Sequence, residues 1–268
     1  MKKIRRWLAA LSGALLLTAV TGGMTAAGAA ANDEQSRRDA VEIFCSMCND
    51  ARVAEGLQEM YIAPPLVSYA QTRAEDLTTL FGHYRPDGSI CFSVMKNDGF
   101  FYNNCAENIA AGGFGAEETF YQWMNSQGHH DNIMTESMTH IGTGFVYDAD
   151  AKPDPDGIPY AFYWSMFLIG SYDANDTPVT YEGQYIPDRE PGDANGTKRI
   201  DAADAARILE YSAARSAGGN PRVTKQFMAA ADVNGDGSIN AVDAHIVLSF
   251  SAAQGADPNA AIADFIWK

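Results

Sequence analysis

Two stretches toward the C-terminal end of this 268-residue chain repeat one another without a gap. "DANGTKRIDAADAARILEYSA" begins at Asp193, and "DVNGDGSINAVDAHIVLSFSA" begins 39 residues later at Asp232. Each copy opens with twelve residues rich in Asp, Asn and Gly, then turns to a helical apolar pattern, so the duplication is one loop-helix unit used twice. In the second copy, oxygen-bearing side chains stand at loop positions 1, 3, 5, 9 and 12: Asp232, Asn234, Asp236, Asn240 and Asp243. Gly237 occupies position 6, where the chain must turn sharply, and position 7 offers the Ser238 carbonyl. Calcium takes six to eight oxygens at about 2.3–2.6 Å, and this spacing wraps them around one point. The first copy has Asp193, Asn195, Asp201 and Asp204 at positions 1, 3, 9 and 12, with Thr197 at 5, Lys198 at 6 and the Arg199 carbonyl at 7. Threonine brings no carboxylate, and a left-handed lysine costs roughly 1 kcal/mol or more, so the first loop is expected to bind calcium more weakly than the second.

The other end of the chain reads as a leader. Lys2, Lys3, Arg5 and Arg6 precede the apolar "WLAALSGALLLTAV" and small-residue cleavage positions in "AAGAAA". Residues 1–31 therefore carry a signal-peptide pattern, which predicts a secreted, extracellular protein. Without those four positive charges the formal net charge moves from −15 to −19, which disfavours nucleic acid and anionic membrane as partners. Four cysteines allow up to two disulfides. Cys91 and Cys105 flank a Gly- and Asn-containing segment that such a bond could close. Val41, Phe44, Cys45 and Cys48 fall at i, i+3, i+4 and i+7, which places Cys45 and Cys48 on the buried stripe of a helix rather than in a redox motif.

Between the two ends, residues 171–190 have Pro, Gly and acids without a sustained period and read as a linker. Upstream, helices are expected over about 38–55 (ended by Gly56), from Leu66 to Leu80, and over Ala116–Met124. "HIGTGFVYDA" and "IPYAFYWSMFLIG" then alternate like strands across the turn-rich "DAKPDPDG". That order predicts an α+β fold with helices packed on an antiparallel sheet.

The duplicated module, with Pro191-Gly192 directly before the first loop and aspartate at both twelfth positions, resembles a type I dockerin over about residues 191–254, followed by a tail, 255–268. The resemblance implies a small all-α domain with two calcium sites that docks onto a cohesin module of a scaffold protein, as in cellulosomes. It also implies partner contacts at loop positions 10 and 11, here Ala202-Ala203 and Ala241-Val242, in either of two orientations related by the duplication.

Residues 38–170 resemble a bacterial CAP domain (the cysteine-rich secretory protein, antigen 5 and pathogenesis-related superfamily). The pieces that carry the resemblance stand in the family's order: "NDARVAEGL", "HYRPDGS", "AENIAAGG" and "EETFYQWMNSQGHHDNIM". It implies an α-β-α sandwich with a cleft around His83, Glu107 and His129. Trp123, Ser126, Gly128, His129, Asn132 and Ile133 fill the family's pattern, so His129 rather than His130 is assigned to the cleft. The second glutamate of many eukaryotic relatives is replaced by Ser126; Glu117 and Glu118, earlier on the same helix, are candidates to face the cleft. Two imidazoles and a carboxylate can hold a divalent metal such as Zn2+, act as general acid and base, or fix the loops by hydrogen bonding. No HExxH, GxSxG or Cys–His nucleophile pattern is present in the sequence, so three functions remain open. One is a scaffold-borne protein whose cleft binds a ligand or metal; another is a hydrolase of peptide or polysaccharide working in the same cleft. The third is a calcium-dependent adhesive protein with no scaffold partner.

Overall fold

The computed structural model describes residues 33–96, 100–112, 115–151 and 160–266. The leader read from residues 1–31 and most of the turn-rich segment at 150–157 lie outside the described residues.

Helix α1 spans Glu34–Ala54. The Asp33 carboxylate caps it by accepting the Ser36 N–H at 2.7 Å, and Gly56, at φ +84°, turns the chain away just past its end. Strand β1, Tyr61–Ile62, leads into α2, Pro64–Thr79, whose opening prolines cost no helical hydrogen bond. After a 3₁₀ turn at Cys91–Met95 come β2 (Asn104–Ala111), α3 (Ala116–Met124), α4 (Gln127–Met134), β3 (His140–Tyr147) and β4 (Phe162–Gly170). The sheet order is β1-β3-β4-β2, with β1 parallel to β3 and the other pairs antiparallel.

Alternation along β4 divides the core. Trp164, Met166 and Leu168 pack with Phe44, Cys45 and Cys48 of α1 and Trp123 of α3, while Phe167 and Ile169 pack with Leu66 and Tyr69 of α2. Helices thus cover both faces, giving the α-β-α sandwich. Helix α2 lies close against β3: a Cβ on Gly142 would stand 2.4 Å from the Leu66 carbonyl carbon, and one on Gly144 2.4 Å from Gln71 Cα. Both thiols of the CxxC are fully buried, as the helical spacing requires, and the four cysteines are unpaired in the structure.

Two elements next to the cleft go beyond the sequence reading. The β2 segment "NCAENIAA" has no alternating apolar pattern; its eight residues form a strand because all of them pair with β4, from Asn104 opposite Gly170 to Ala111 opposite Tyr163. Helix α4 begins after Ser126 without a side-chain N-cap. It is held from outside by the fully buried Arg52, which donates to the carbonyls of Ile133 (2.7 Å), Thr135 (2.8 Å) and Met138 (3.0 Å).

Residues 171–190 form neither helix nor strand, but they are strapped to the sandwich. Tyr185 bridges Ile62, its hydroxyl donates to Glu42 at 3.0 Å, and Gln184 Oε1 meets His140 Nε2 at 2.9 Å.

Beyond the strap lie α5 (Ala202–Ser216), α6 (Lys225–Ala231) and α7 (Ala241–Gln254) around Ile208, Phe227, Ile246 and Val247. Asp201 with Asp204, and Asn240 with Asp243, form capping boxes that start α5 and α7. The repeats are not identical: α6, capped by Thr224, leads directly into the second loop, whereas no helix enters the first. The tail folds back, with a 3₁₀ turn at Ile262–Phe265 that sets Phe265 edge-on to Phe250 and brings Ile262 against Gly192.

Candidate functional site: a buried carboxylate, two imidazoles and two oxygen-lined loops

The cleft is organised by Glu107, whose side chain is 1 % exposed in the middle of β2. Arg73 of α2, fully buried, donates from Nε to Glu107 Oε1 at 2.8 Å. His83 Nδ1 lies 2.7 Å from the other oxygen, Oε2. A carboxylate paired with a guanidinium can only accept, so His83 carries its proton on Nδ1 and presents Nε2. Arg73 also donates to Asp76 at 3.1 Å and to the Gly82 carbonyl at 2.8 Å, and Asp76 takes Arg85 Nε at 2.7 Å. These bonds hold the loop that carries His83.

The second imidazole comes from α4. Asn108 of β2 donates to the His129 carbonyl at 3.1 Å, and Asn132 donates to Asn108 Oδ1 at 2.8 Å. The Asn residues of "AENIA" and "SQGHHDN" therefore bind each other. The His129 ring stands 6.3 Å from that of Trp123, and its Nδ1 is buried with no hydrogen-bond partner. Burial, and then the charge of the neighbouring His83, pull the His129 pKa below its usual value. His130 instead turns outward, with Nδ1 3.3 Å from Asp131.

Two residues enter the site that the sequence reading left out, and one candidate leaves it. Arg73 is the first addition; its position three residues after Ala70 and four before Leu77, on the buried stripe of α2, was the available signal. Cys91 is the second: ligand atoms of His83, Cys91 and Glu107 all lie within 4.8 Å of one another. A cysteine thus stands beside a histidine here, a proximity that the sequence spacing did not indicate. It is no nucleophile as placed, because burial, followed by the adjacent Glu107 charge, pushes its thiol up to about 12. Glu117 is turned elsewhere: its Oε2 receives Arg199 Nη2 of the first loop at 2.7 Å. Glu107 therefore does not pair with Glu117 across the cleft.

The donor set suits a transition ion better than calcium. Imidazole nitrogens favour zinc-class metals, and a carboxylate behind a ligating histidine is the usual orienting arrangement. Both Glu107 oxygens are engaged, so His83 Nε2 and the unpartnered His129 are the atoms that would hold such an ion. It would supply Lewis acidity; the chain supplies orientation through Glu107 and Arg73.

The loops fit calcium. In the first, Asp193 is 2 % and Asp204 0 % exposed, and backbone N–H groups of Thr197, Lys198, Asn195 and Asp201 point at their oxygens at 2.8–3.0 Å. Thr197 Oγ1, at position 5, is buried without a partner, and so is Asp232 Oδ1 at position 1 of the second loop. Orphaned oxygens inside a ring of carboxylates and amides are what a bound hard cation satisfies. With a cation bound, Asn195, Asp201 and the Arg199 carbonyl would be the further oxygens of the first loop, and Asn234, Asp236, Asn240, Asp243 and the Ser238 carbonyl those of the second. Gly237 turns at φ +83°, and Lys198 takes the same left-handed conformation at φ +59°. Ala202, Ala203, Ala241 and Val242 are all exposed at the starts of α5 and α7.

Residues 45–166 match the family model described as "Cysteine-rich secretory protein family" (CAP), and residues 191–249 match "Dockerin type I domain". A curated relative, the uncharacterized protein YkwD of Bacillus subtilis, is 36 % identical over 102 residues, which is 37 % of this chain and 40 % of that protein. Among solved structures, an extracellular SCP-domain protein from Bacillus anthracis aligns at TM-score 0.43 and 22 % identity, covering 51 % of this chain and 42 % of its own. An outer surface protein of Borrelia burgdorferi aligns at TM-score 0.42 and 17 % identity, covering 52 % of this chain and 96 % of its own. The chain thus spans less than half the length of YkwD and of the Bacillus anthracis protein. Among the described residues no helix is long and apolar enough to cross a membrane. The chain joins a CAP-family domain to a type I dockerin domain.

Proposed function

We propose that this is a secreted protein whose dockerin, loaded with calcium at both loops, anchors it to a cohesin-bearing scaffold of the cellulosome type. Its CAP cleft then holds a divalent transition metal of the zinc class on His83 and His129. One observation carries the cleft reading: Glu107, buried and fixed by Arg73, accepts from His83 Nδ1 and leaves Nε2 free to ligate. A carboxylate so fully engaged is an orienting group rather than a proton shuttle, which favours binding over hydrolysis.

Metal analysis of the full chain after equilibration with zinc tests this reading. Wild type should retain about one zinc that His83→Ala combined with His129→Ala does not. Equal zinc in the two proteins would remove the metal from the cleft. For the tether, capture by a cohesin panel should need calcium and vanish in excess chelator. Capture that survives chelation would show that the module engages its partner without the loops.

A further inference from the structure

The first calcium loop is pressed against the CAP-family domain. Lys198 Nζ lies 3.1 Å from Asp39 Oδ1 and 2.5 Å from Glu42 Oε2, both on α1. Arg199 reaches Glu117 of α3 at 2.7 Å. Gly196 packs so tightly that a Cβ there would stand 2.7 Å from Ser46 Cβ. Behind the loop, Arg189, its side chain 2 % exposed, joins Asp50 at 2.9 Å, the Ser46 carbonyl at 3.3 Å and the loop's own Ala194 carbonyl at 2.8 Å. Thr224 Oγ1 adds a bond to Asp50 at 2.9 Å. The second loop is different: Gly235, Asp236, Gly237 and Ser238 are all exposed, and its hydrogen bonds stay within the loop and α7.

We propose that the first loop is a docking site for the chain's own N-terminal domain, and that calcium in this loop and the docked domain stabilise one another. Lys198 explains why the loop departs from its twin. At position 6 it takes the backbone conformation that Gly237 takes in the second loop, and its side chain uses that geometry to reach α1. Asp39 and Glu42 neutralise an ammonium that would otherwise oppose the calcium charge beside it. Glu117 does the same for Arg199. Calcium, in turn, fixes the loop backbone that presents Lys198, Arg199 and Gly196 to the domain. Two ligands that favour the same loop conformation must help each other's binding equally. This inference rests on calcium occupying the loops, but not on the metal in the cleft.

The test uses the full chain with calcium alone as the probe. Trypsin cleavage after Arg189, read as fragments beginning at Glu190, reports release of the domain. With calcium bound the bond should be protected, and chelation should speed its cleavage about tenfold or more. Asp193→Asn should be cleaved rapidly even in calcium, whereas Asp232→Asn should remain protected. Equal protection with and without calcium, or equal behaviour of the two variants, overturns the proposal. Because Asp193→Asn could unfold the whole module, a second measurement uses Asp39→Asn with Glu42→Gln, isosteric changes on α1 that remove the charges facing Lys198 and leave an oxygen for the Tyr185 hydroxyl at Glu42. Calorimetry should show one of the two calcium sites weakened about tenfold and the other unchanged; two unchanged sites overturn the proposal. Absence of calcium binding at either wild-type loop would instead remove the calcium reading beneath it.

Discussion

Single residues decide what the cleft can do, and Arg73 decides most. It is fully buried, and its guanidinium donates to Glu107, Asp76 and the Gly82 carbonyl. Replacing one partner of a buried ion pair leaves the other charge without compensation, typically at about 3–5 kcal/mol. Arg73→Met should therefore cost about that much in urea unfolding, followed by the fluorescence of Trp123 and Trp164. A loss under about 1 kcal/mol would mean that Glu107 finds water or takes up a proton instead. The sequence named His83, Glu107 and His129 because they sit in recognisable strings. It did not name Arg73, because an arginine among apolar positions of a helix resembles a solvated interruption until its partners are known. Nor did it bring Cys91 to His83, since that contact depends on the 3₁₀ turn that returns Cys91 beneath the loop. Lys198 was legible as a left-handed lysine at position 6, but its purpose lay on another domain.

At the scale of elements, the strap over residues 171–190 shows how a segment without periodicity becomes ordered. Local turns, in which Asp173 accepts the Asn175 and Thr177 N–H groups, hold part of it, and the sandwich holds the rest through the Ile62 backbone and through side chains. His140, 1 % exposed on β3, meets Thr139 Oγ1 through Nδ1 at 2.8 Å and Gln184 of the strap through Nε2 at 2.9 Å, with the rings of Tyr181 and Tyr61 beside it. Burial lowers its pKa, so the folded state favours the neutral ring. The sign follows: the unfolded chain takes up a proton near pH 6.5 and the folded chain only at lower pH. The stabilising contribution is complete above about 6.5 and is lost as pH falls from there toward the folded value. His129 shifts in the same direction for the same first cause. Melting temperature should thus decline between about pH 7 and 5, and His140→Gln should decline less steeply. Identical slopes would clear His140 of that role. The sheet offers a second check. Gly144 lets α2 approach β3, and a side chain there would strike the backbone of Gln71. Gly144→Val should cost about 1–3 kcal/mol or more by forcing the layers apart, whereas a change at the exposed Glu136, such as Glu136→Ala, should be near neutral. The strands β3 and β4 were legible because their alternation is strong. Strand β2 was not, because pairing with β4 rather than its own pattern makes it a strand.

Across the whole molecule, the duplication creates two equivalent faces that the fold then makes unequal. The first is Ala202, Ala203 and Leu209 on α5; the second is Ala241, Val242 and Leu248 on α7. Val242 and Leu248 are 51 % and 44 % exposed, and Leu209 is 43 % exposed, so both faces offer apolar surface. The sequence treats them as interchangeable, since nothing in either repeat records where the CAP-family domain sits. In the structure that domain lies beside the first face: Arg199 is held by Glu117, and Arg207 and Glu210 of α5 lie within electrostatic reach of Tyr121 on α3. A cohesin approaching α5 would meet the side of α3, whereas Val242 and Leu248 of α7 stand exposed. Truncating the apolar centre of an interface costs about 2 kcal/mol or more, while substitutions at a face that is not engaged cost little. Val242→Asp with Ala241→Asp should therefore weaken cohesin capture at saturating calcium by about thirtyfold or more, and Ala202→Asp with Ala203→Asp by less than about threefold. Equal losses would mean that both orientations operate in the intact chain. Dependence on the first pair alone would mean that the CAP-family domain swings clear of α5 before the partner docks.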